Sequence, residues 1–71
     1  MLPDGTYDAI VVDAVDDDGV VRLELTILGG EHKGDVVNLA SPNLEGEPAL
    51  LLGVPATITV ADGRPDLRLE P

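Results

Sequence analysis

The segment Val21-Arg22-Leu23-Glu24-Leu25-Thr26-Ile27 alternates apolar and polar residues without a break, and this alternation decides the fold class. Successive side chains of a β-strand point to opposite faces of the sheet. The pattern therefore predicts a strand with one face in the core and the other in water. The inward set is Val21, Leu23, Leu25 and Ile27, and the outward set is Arg22, Glu24 and Thr26.

The residues before this strand also predict β-structure, but their apolar side chains fall on both parities. Tyr7, Ala9 and Val11 lie on one parity, and Ile10, Val12 and Ala14 lie on the other. A long first strand that coils around a barrel, with a bulge, can pack both of its faces in different parts. The turn Asp16-Asp17-Asp18-Gly19 then leads into the second strand.

Downstream, the sequence predicts a third strand, a short helix and two more strands. The third strand covers Asp35 to Leu39 after the loop 29–34, with Val37 and Leu39 facing the core, although the apolar Val36 leaves its parity open. Ser41-Pro42-Asn43 is expected to break that strand, and Glu47 to Gly53 is predicted to be a helix, with Pro in its first turn and Gly at its end. Strand four covers Ala56 to Val60, and Asp62-Gly63 turns it into strand five, where Pro65 suits a turn or an edge and Leu67 and Leu69 face inward.

Three strands, a helix and two strands form the order of a five-stranded Greek-key barrel of the oligonucleotide/oligosaccharide-binding (OB) type. We predict an all-β, OB-like barrel with the short helix between strands three and four plugging one mouth. A Src-homology-3-like barrel is the alternative, but it places its helical turn between strands four and five. Residues 1–71 form one domain, because the sequence has no linker or internal repeat.

The composition limits both stability and location. A chain of 71 residues buries roughly 60% of the surface that its unfolded form exposes. Without cysteine, the 44% apolar residues must build the core alone. The first residues lack the pattern of a secretory signal, and Ala49 to Leu52 is too short to span a bilayer, so we expect a cytoplasmic protein without membrane association.

The charge of the chain bears on its partners. Fourteen acidic against four basic residues give a net charge of -10, which repels phosphate backbones. Tyr7 is the single aromatic residue, and one ring cannot form the stacking platform on which single-strand binders hold bases. A nucleic-acid partner is therefore disfavoured by composition, and an oligosaccharide, which also needs aromatic platforms, ranks last.

Three short motifs in the first half of the chain carry a resemblance to a known group of proteins. They are Gly5-x-Tyr7, Leu23-x-Leu25-x-Ile27 and Gly30-Glu31-His32-Lys33-Gly34. Together they resemble short, mostly uncharacterised bacterial and phage-associated proteins whose family suggests a single-stranded DNA-binding role. The resemblance implies an OB fold and a single-strand-binding role.

Basic side chains supply the candidate ligand-binding residues, which are Arg22, His32, Lys33, Arg64 and Arg68. His32 and Lys33 are neighbours in the loop after strand two, which can border the ligand face of an OB barrel. As a simpler interpretation, His32 is a solvated loop residue, and the two strand arginines pair on the surface with Glu24, Asp66 or Glu70. Tyr7 could stack on a base or a sugar, but its place in the alternation favours the core or the rim.

The sequence offers no catalytic constellation and predicts no cofactor. Catalysis by His32 would need a nucleophile or a metal, and the chain has neither Cys nor a second His. The aspartates at 13, 16, 17 and 18 could hold a hard cation, but the glutamate that closes a calcium loop is missing, so we interpret them as a solvated turn. We expect a protein that is not an enzyme and has no metal site.

A protein-interaction module is the function that this sequence favours. An incompletely closed barrel has exposed strand edges, and Val36, Val37 and Leu39 form a short apolar strand near the predicted opening. The partner would be another protein or a second copy. The alternatives are a weak single-strand binder and an acidic mimic of DNA. A basic spot on strands two and three would favour the single-strand binder, and a continuous stripe of carboxylates would favour the DNA mimic. Scattered carboxylates would favour neither alternative.

Overall fold

The computed structural model describes residues 2–41 and 48–70. In these ranges the chain forms five β-strands and one turn of 3-10 helix. In chain order they are β1 (Gly5–Asp17), β2 (Val20–Ile27), β3 (Val36–Ser41), the 3-10 helix (Pro48–Leu51), β4 (Pro55–Ala61) and β5 (Arg64–Leu69). The all-β prediction is confirmed, and no described helix is long and apolar enough to cross a membrane.

The strands form one antiparallel sheet in the order β3-β2-β1-β4-β5. β1 lies at its centre, pairing with β4 over Gly5–Ile10 and with β2 over Ala9–Asp17. The sheet curls until its two edges approach, since Leu39 and Ala40 of β3 line a cleft of about 190 Å³ together with residues 65–67 of β5. The result is a half-barrel with its core on the concave side.

The bulge predicted in β1 is present and explains the mixed parity of that strand. The pairing of β1 with β2 shifts register between Val11 and Asp13. Before the shift Ala9 and Val11 are buried, and after it Ala14 packs against the core while Val12 is exposed. One extra residue therefore moves the inward face from odd to even positions.

Most of the core comes from the inward positions that alternation predicts in β2 and β4, and Leu2, Ala9 and Val11 complete it. All four inward side chains of β2 are at most 6% exposed, and full burial of such a side chain contributes about 1.5–3 kcal/mol. Val37, Leu39, Leu67 and Leu69 pack against this core from the two edge strands. The outward residues Glu24 and Thr26 are half-buried rather than fully exposed, because strands flank β2 on both sides.

Both predicted hairpin turns are present, although the first comprises only Asp18 and Gly19, since Asp16 and Asp17 are paired residues of β1. Asp18 and Gly19 have φ of 56° and 87°, and Asp62 and Gly63 have φ of 53° and 73°. Two consecutive residues with positive φ are typical of the two-residue turn whose twist matches that of the flanking strands. Gly19 and Gly63 adopt this conformation without the steric cost that a Cβ would add.

The predicted helix is shorter than expected. Only Pro48–Leu51 is helical among the described residues, as one 3-10 turn, while Glu47 lies outside them, as do Pro42 and Asn43. Strand three is also shifted from its predicted bounds, because Asp35 precedes it and Ser41, expected to break it, still pairs with Val21 as its last residue. Gly53 donates its N–H to Val11 O at 2.8 Å, and Val11 donates to Val54 O at 3.0 Å, so the chain leaves the helix to pair with β1. Leu51 and Val54 pack on the core, but Leu50 is 75% exposed.

Candidate functional site

The free edge of β3 is the first component of the site. Ile27 donates its N–H to Asp35 O at 3.0 Å, which fixes the phase of the ladder between β2 and β3. In an antiparallel pair, backbone groups of alternate residues point toward and away from the partner strand. Val37 and Leu39 therefore bond to β2, whereas the N–H and C=O groups of Val36, Asn38 and Ala40 point away from the sheet. No described residue pairs with that edge.

The edge of β5 differs in chemistry. Glu70 donates its N–H to Pro55 O at 2.8 Å, so residues 64, 66 and 68 bond to β4 and residues 65, 67 and 69 turn their backbone groups outward. Pro65 has no N–H to offer, and charged side chains alternate along the strand. Proline and charges are the features with which proteins protect an edge from pairing. β3, by contrast, carries neither proline nor charge.

A cleft of about 530 Å³ lies beside the first half of β3, and we call it the β3 cleft. Its lining combines apolar side chains with hydrogen-bonding groups. The lining residues are Leu2, His32, Asp35, Val36, Val37 and Asn38. Val36 is 54% exposed, which leaves an apolar surface beside unpaired backbone groups.

The loop 29–34 holds His32 at one wall of the β3 cleft. His32 Nδ1 lies 3.0 Å from Asp35 Oδ2, and the Tyr7 ring meets the imidazole edge to face at a centroid distance of 5.9 Å. Gly34 donates its N–H to Ile27 O at 2.9 Å, which ties the loop to the end of β2. His32 is thus a positioned, half-buried residue, whereas its neighbour Lys33 is exposed and does not line the cleft.

Leu2 also lines the β3 cleft, and sequence reasoning missed this residue and the two that follow it. Leu2 is only 8% exposed and belongs to the core. The Asp4 carboxylate accepts hydrogen bonds from the backbone N–H groups of Asp62 at 3.1 Å and Gly63 at 3.2 Å, and Tyr7 donates its hydroxyl to Pro3 O. We call residues 2–4 the N-terminal strap, because it joins the β3 cleft to the β4–β5 turn. A single leucine before a proline gives no periodic signal that could have predicted this role.

The five candidate ligand-binding residues do not form one patch. Arg22 Nε bonds to Asp17 Oδ2 at 2.9 Å on the exposed face of the β1–β2 hairpin, so its partner is none of the carboxylates that the sequence suggested. An exposed pair of this kind contributes about 0–1 kcal/mol. Arg64 and Arg68 lie on β5, and Arg68 faces Thr57 of β4. Of the five, only His32 lines the β3 cleft, where it meets Val36 and Val37 from the predicted interaction edge.

A second groove, of about 480 Å³, runs over the outer face of β1, β2 and β3, and we call it the outer groove. Its lining includes Val15, Arg22, Leu39 and Ala40. Asp13, Glu24 and Asn38 stand in one cross-strand row within it, since Asp13 faces Glu24 and Glu24 faces Asn38. Neither Asp13 nor Glu24 takes part in an ion pair with a described residue.

The aspartates near the first turn stabilise local structure. Asp16 accepts the N–H of Gly19 at 3.2 Å, Asp13 accepts the N–H of Ala14 at 2.9 Å, and Asp17 pairs with Arg22. In the described ranges, no three carboxylate or histidine side chains come together as metal ligands. These contacts are those of a hairpin turn.

The carboxylates of the described residues are spread over the molecule. They occupy the N-terminal strap, the β1–β2 hairpin, the loop after β2 and the β4–β5 hairpin, and Arg22 stands among those on the first hairpin. The outer face of β2 and β3 carries one arginine, already paired, beside Glu24 and neutral residues. Neither a basic spot nor a continuous acidic stripe is present in the described part of the chain.

Comparison with known protein families, with curated proteins and with solved structures gives no match for this chain.

Proposed function

We propose that this chain is an OB-like half-barrel, open between β3 and β5, that serves as a small protein-binding module. The strand order supports the fold, because joining the edges β3 and β5 would close the sheet into a five-stranded barrel. Both edge strands run parallel to β1, so the closing pair would be parallel and the chain path a Greek key. The 3-10 helix lies between strands three and four, as in the predicted order.

More particularly, we propose that the module captures an extended segment of a partner protein by adding it as a strand to β3. The carrying observation is the contrast between the two edges. β3 offers unpaired backbone groups at Val36, Asn38 and Ala40, with no charge or proline, next to the β3 cleft. In strand addition, main-chain hydrogen bonds provide affinity, and pockets for alternate side chains provide specificity.

The dimensions of the edge suit a short peptide. The six residues of β3 span about 20 Å at roughly 3.3 Å per residue. Leu39 and Ala40 share a narrow cleft with residues 65–67 of β5, which leaves less room for an added strand there. The first half of β3 is therefore the more accessible. Leu2 and Val37, which line the β3 cleft, would receive an apolar side chain of the added strand.

Nucleic-acid binding is less well supported by the site. The basic side chains are dispersed over β2, the loop 29–34 and β5, and Arg22 is engaged by Asp17. Tyr7 is half-buried, and both its hydroxyl and its ring have intramolecular contacts. Backbone phosphates would meet a chain with a net charge of -10.

Amide NMR spectroscopy with a defined probe tests the proposal. The probe is the neutral peptide Ser-Thr-Val-Gln-Val-Thr-Ser, added to the labelled protein. We expect chemical-shift changes centred on the amides of Val36, Asn38 and Ala40. Asn38→Pro removes an outward N–H without touching a bond to β2, so it should weaken binding by about tenfold. The matched variant Asn38→Ala keeps the N–H and should retain binding.

Three results would contradict strand capture. One is that the peptide changes amide chemical shifts only outside β3, or changes none at all. Another is a stable dimer in light scattering that Val36→Lys dissociates, which would assign the edge to a second copy. The third is saturable, salt-sensitive binding of a fluorescent single-stranded DNA, lost in Lys33→Glu, which would favour the nucleic-acid alternative.

A further inference from the structure

We infer that the segment captured by β3 carries a lysine or arginine opposite Asn38, flanked by uncharged residues. This inference rests on the proposed function and specifies its partner. It follows from the charges in the outer groove, which Asn38, Leu39 and Ala40 of β3 border.

The row Asp13, Glu24, Asn38 ends at the open edge of the sheet. Asp13 faces Glu24 across β1 and β2, and Glu24 faces Asn38 across β2 and β3. Any strand added to β3 would place one outward side chain next in this row. The position opposite Asn38 is therefore the place from which a partner side chain can extend toward Glu24, with Asp13 one strand further along the row.

The two carboxylates lack a cation in the described part of the chain. The charged contacts found there are the ion pair of Arg22 with Asp17 and the contact of His32 Nδ1 with Asp35, and neither involves Asp13 or Glu24. Like charges directly opposite each other on a sheet repel, so a cation placed beside them is favoured. Glu24 is also half-buried, which reduces the screening of its charge by water.

A long cationic side chain can reach Glu24 from an added strand. Two strand spacings separate such a strand from β2, about 10 Å. The flexible stem of a lysine or the planar fork of an arginine can extend over the short, neutral Asn38 toward the glutamate. Asn38 itself has an amide that can accept or donate a hydrogen bond to the passing side chain.

The neighbouring rows restrict the cation to this position. On one side the row consists of Ile10, Thr26 and Val36, which favours an apolar or small residue. On the other side it consists of Val15, Arg22 and Ala40, where the arginine disfavours a second positive charge. The preferred segment thus has its charge at one outward position only.

A second copy of this chain fits the edge less well than such a segment. Antiparallel pairing about Asn38 would place that residue against its own counterpart and would bring two sets of Asp13 and Glu24 onto one surface. Each copy also carries a net charge of -10. Self-pairing would therefore increase the repulsion that a cationic segment relieves.

Three matched peptides test the inference. The probes are Ser-Thr-Val-Xaa-Val-Thr-Ser with Lys, Gln or Glu at Xaa, titrated at low salt and followed through the amide of Asn38. We expect the Lys peptide to bind about fivefold more tightly than the Glu peptide, with the Gln peptide between them. That preference should shrink when the salt concentration rises.

Charge variants of the protein locate the preference. Glu24→Gln should reduce the ratio between the Lys and Glu peptides to nearly one while leaving the affinity for the Gln peptide unchanged. Glu31→Gln makes the same change in net charge on the exposed loop, outside the outer groove, and should keep the ratio. Equal binding of all three peptides at β3 would overturn the inference but not strand capture, whereas no shift at β3 with any peptide would overturn both.

Discussion

At the residue scale, one carboxylate joins distant parts of the chain. Asp4 precedes β1, yet its side chain accepts two backbone N–H groups from the β4–β5 turn. Each of these hydrogen bonds contributes about 0.5–1.5 kcal/mol to stability. Asp4 therefore holds the N-terminal strap against the β4–β5 turn. Leu2, seated in the core two residues earlier, depends on this anchorage for its position.

We expect Asp4→Ala to lower the free energy of unfolding by about 1–2 kcal/mol, because two N–H groups lose their acceptor. Urea denaturation followed by circular dichroism measures the change. Glu31→Ala, which removes an exposed loop carboxylate, serves as the control and should stay within about 0.5 kcal/mol of the parent. Equal stability of the two variants would show that the strap is not fastened by Asp4.

At the element scale, the edges of the sheet are its distinguishing feature. β3 and β5 have the same length, but only β5 has a proline and charges to prevent pairing. Because the backbone N–H groups of β3 alternate between β2 and the open edge, amide hydrogen exchange can show directly that this edge is unpaired. The amides that bond to β2 should be protected from exchange, and those that face the open edge should not.

Hydrogen exchange of the native protein should therefore alternate along β3. We expect slow exchange at Val37 and Leu39 and fast exchange at Val36, Asn38 and Ala40, because only the first two donate to β2. Exchange followed by NMR spectroscopy resolves the individual amides. Uniform protection of all five would mean that another segment covers this edge and would remove the basis for strand capture.

At the scale of the whole molecule, a small core bears the stability of the fold. The buried residues come from β1, β2 and β4, with Leu2 added from the strap. A domain of this size has little stability to spare. A single cavity in the core should therefore have a large effect on the folded population.

Leu25→Ala creates such a cavity, because Leu25 is completely buried at the centre of β2. We expect a loss of about 2–5 kcal/mol, enough to leave much of the protein unfolded at room temperature. Leu50→Ala makes the same change at the exposed side chain of the 3-10 helix and should cost less than about 1 kcal/mol. Thermal unfolding of both variants measures the difference, and similar melting temperatures would contradict the assignment of the core.

Local patterns predicted more of the fold than of the site. The alternation in β2 and β4 and the glycines of both turns identified those elements, because side-chain parity and positive φ are local properties. The predicted helix is longer than the observed one, because the hydrogen bonds that pair Gly53 and Val54 with Val11 end it early. The pairing of Arg22 with Asp17 was also missed, since Glu24 on the neighbouring position of the same face was the more obvious partner.

The sequence by itself determined the existence of the five strands, the inward residues of β2, β4 and β5 and the two tight turns, since each depends on residues within one or two positions of another. Only the tertiary structure decided that Leu2 belongs to the core, that His32 meets Val36 and Val37, and that β3 keeps an open edge. Those features depend on how far the sheet curls and on contacts between residues far apart in the chain, such as Asp4 and Gly63. Periodicity carries no information on such contacts, because it describes each strand separately.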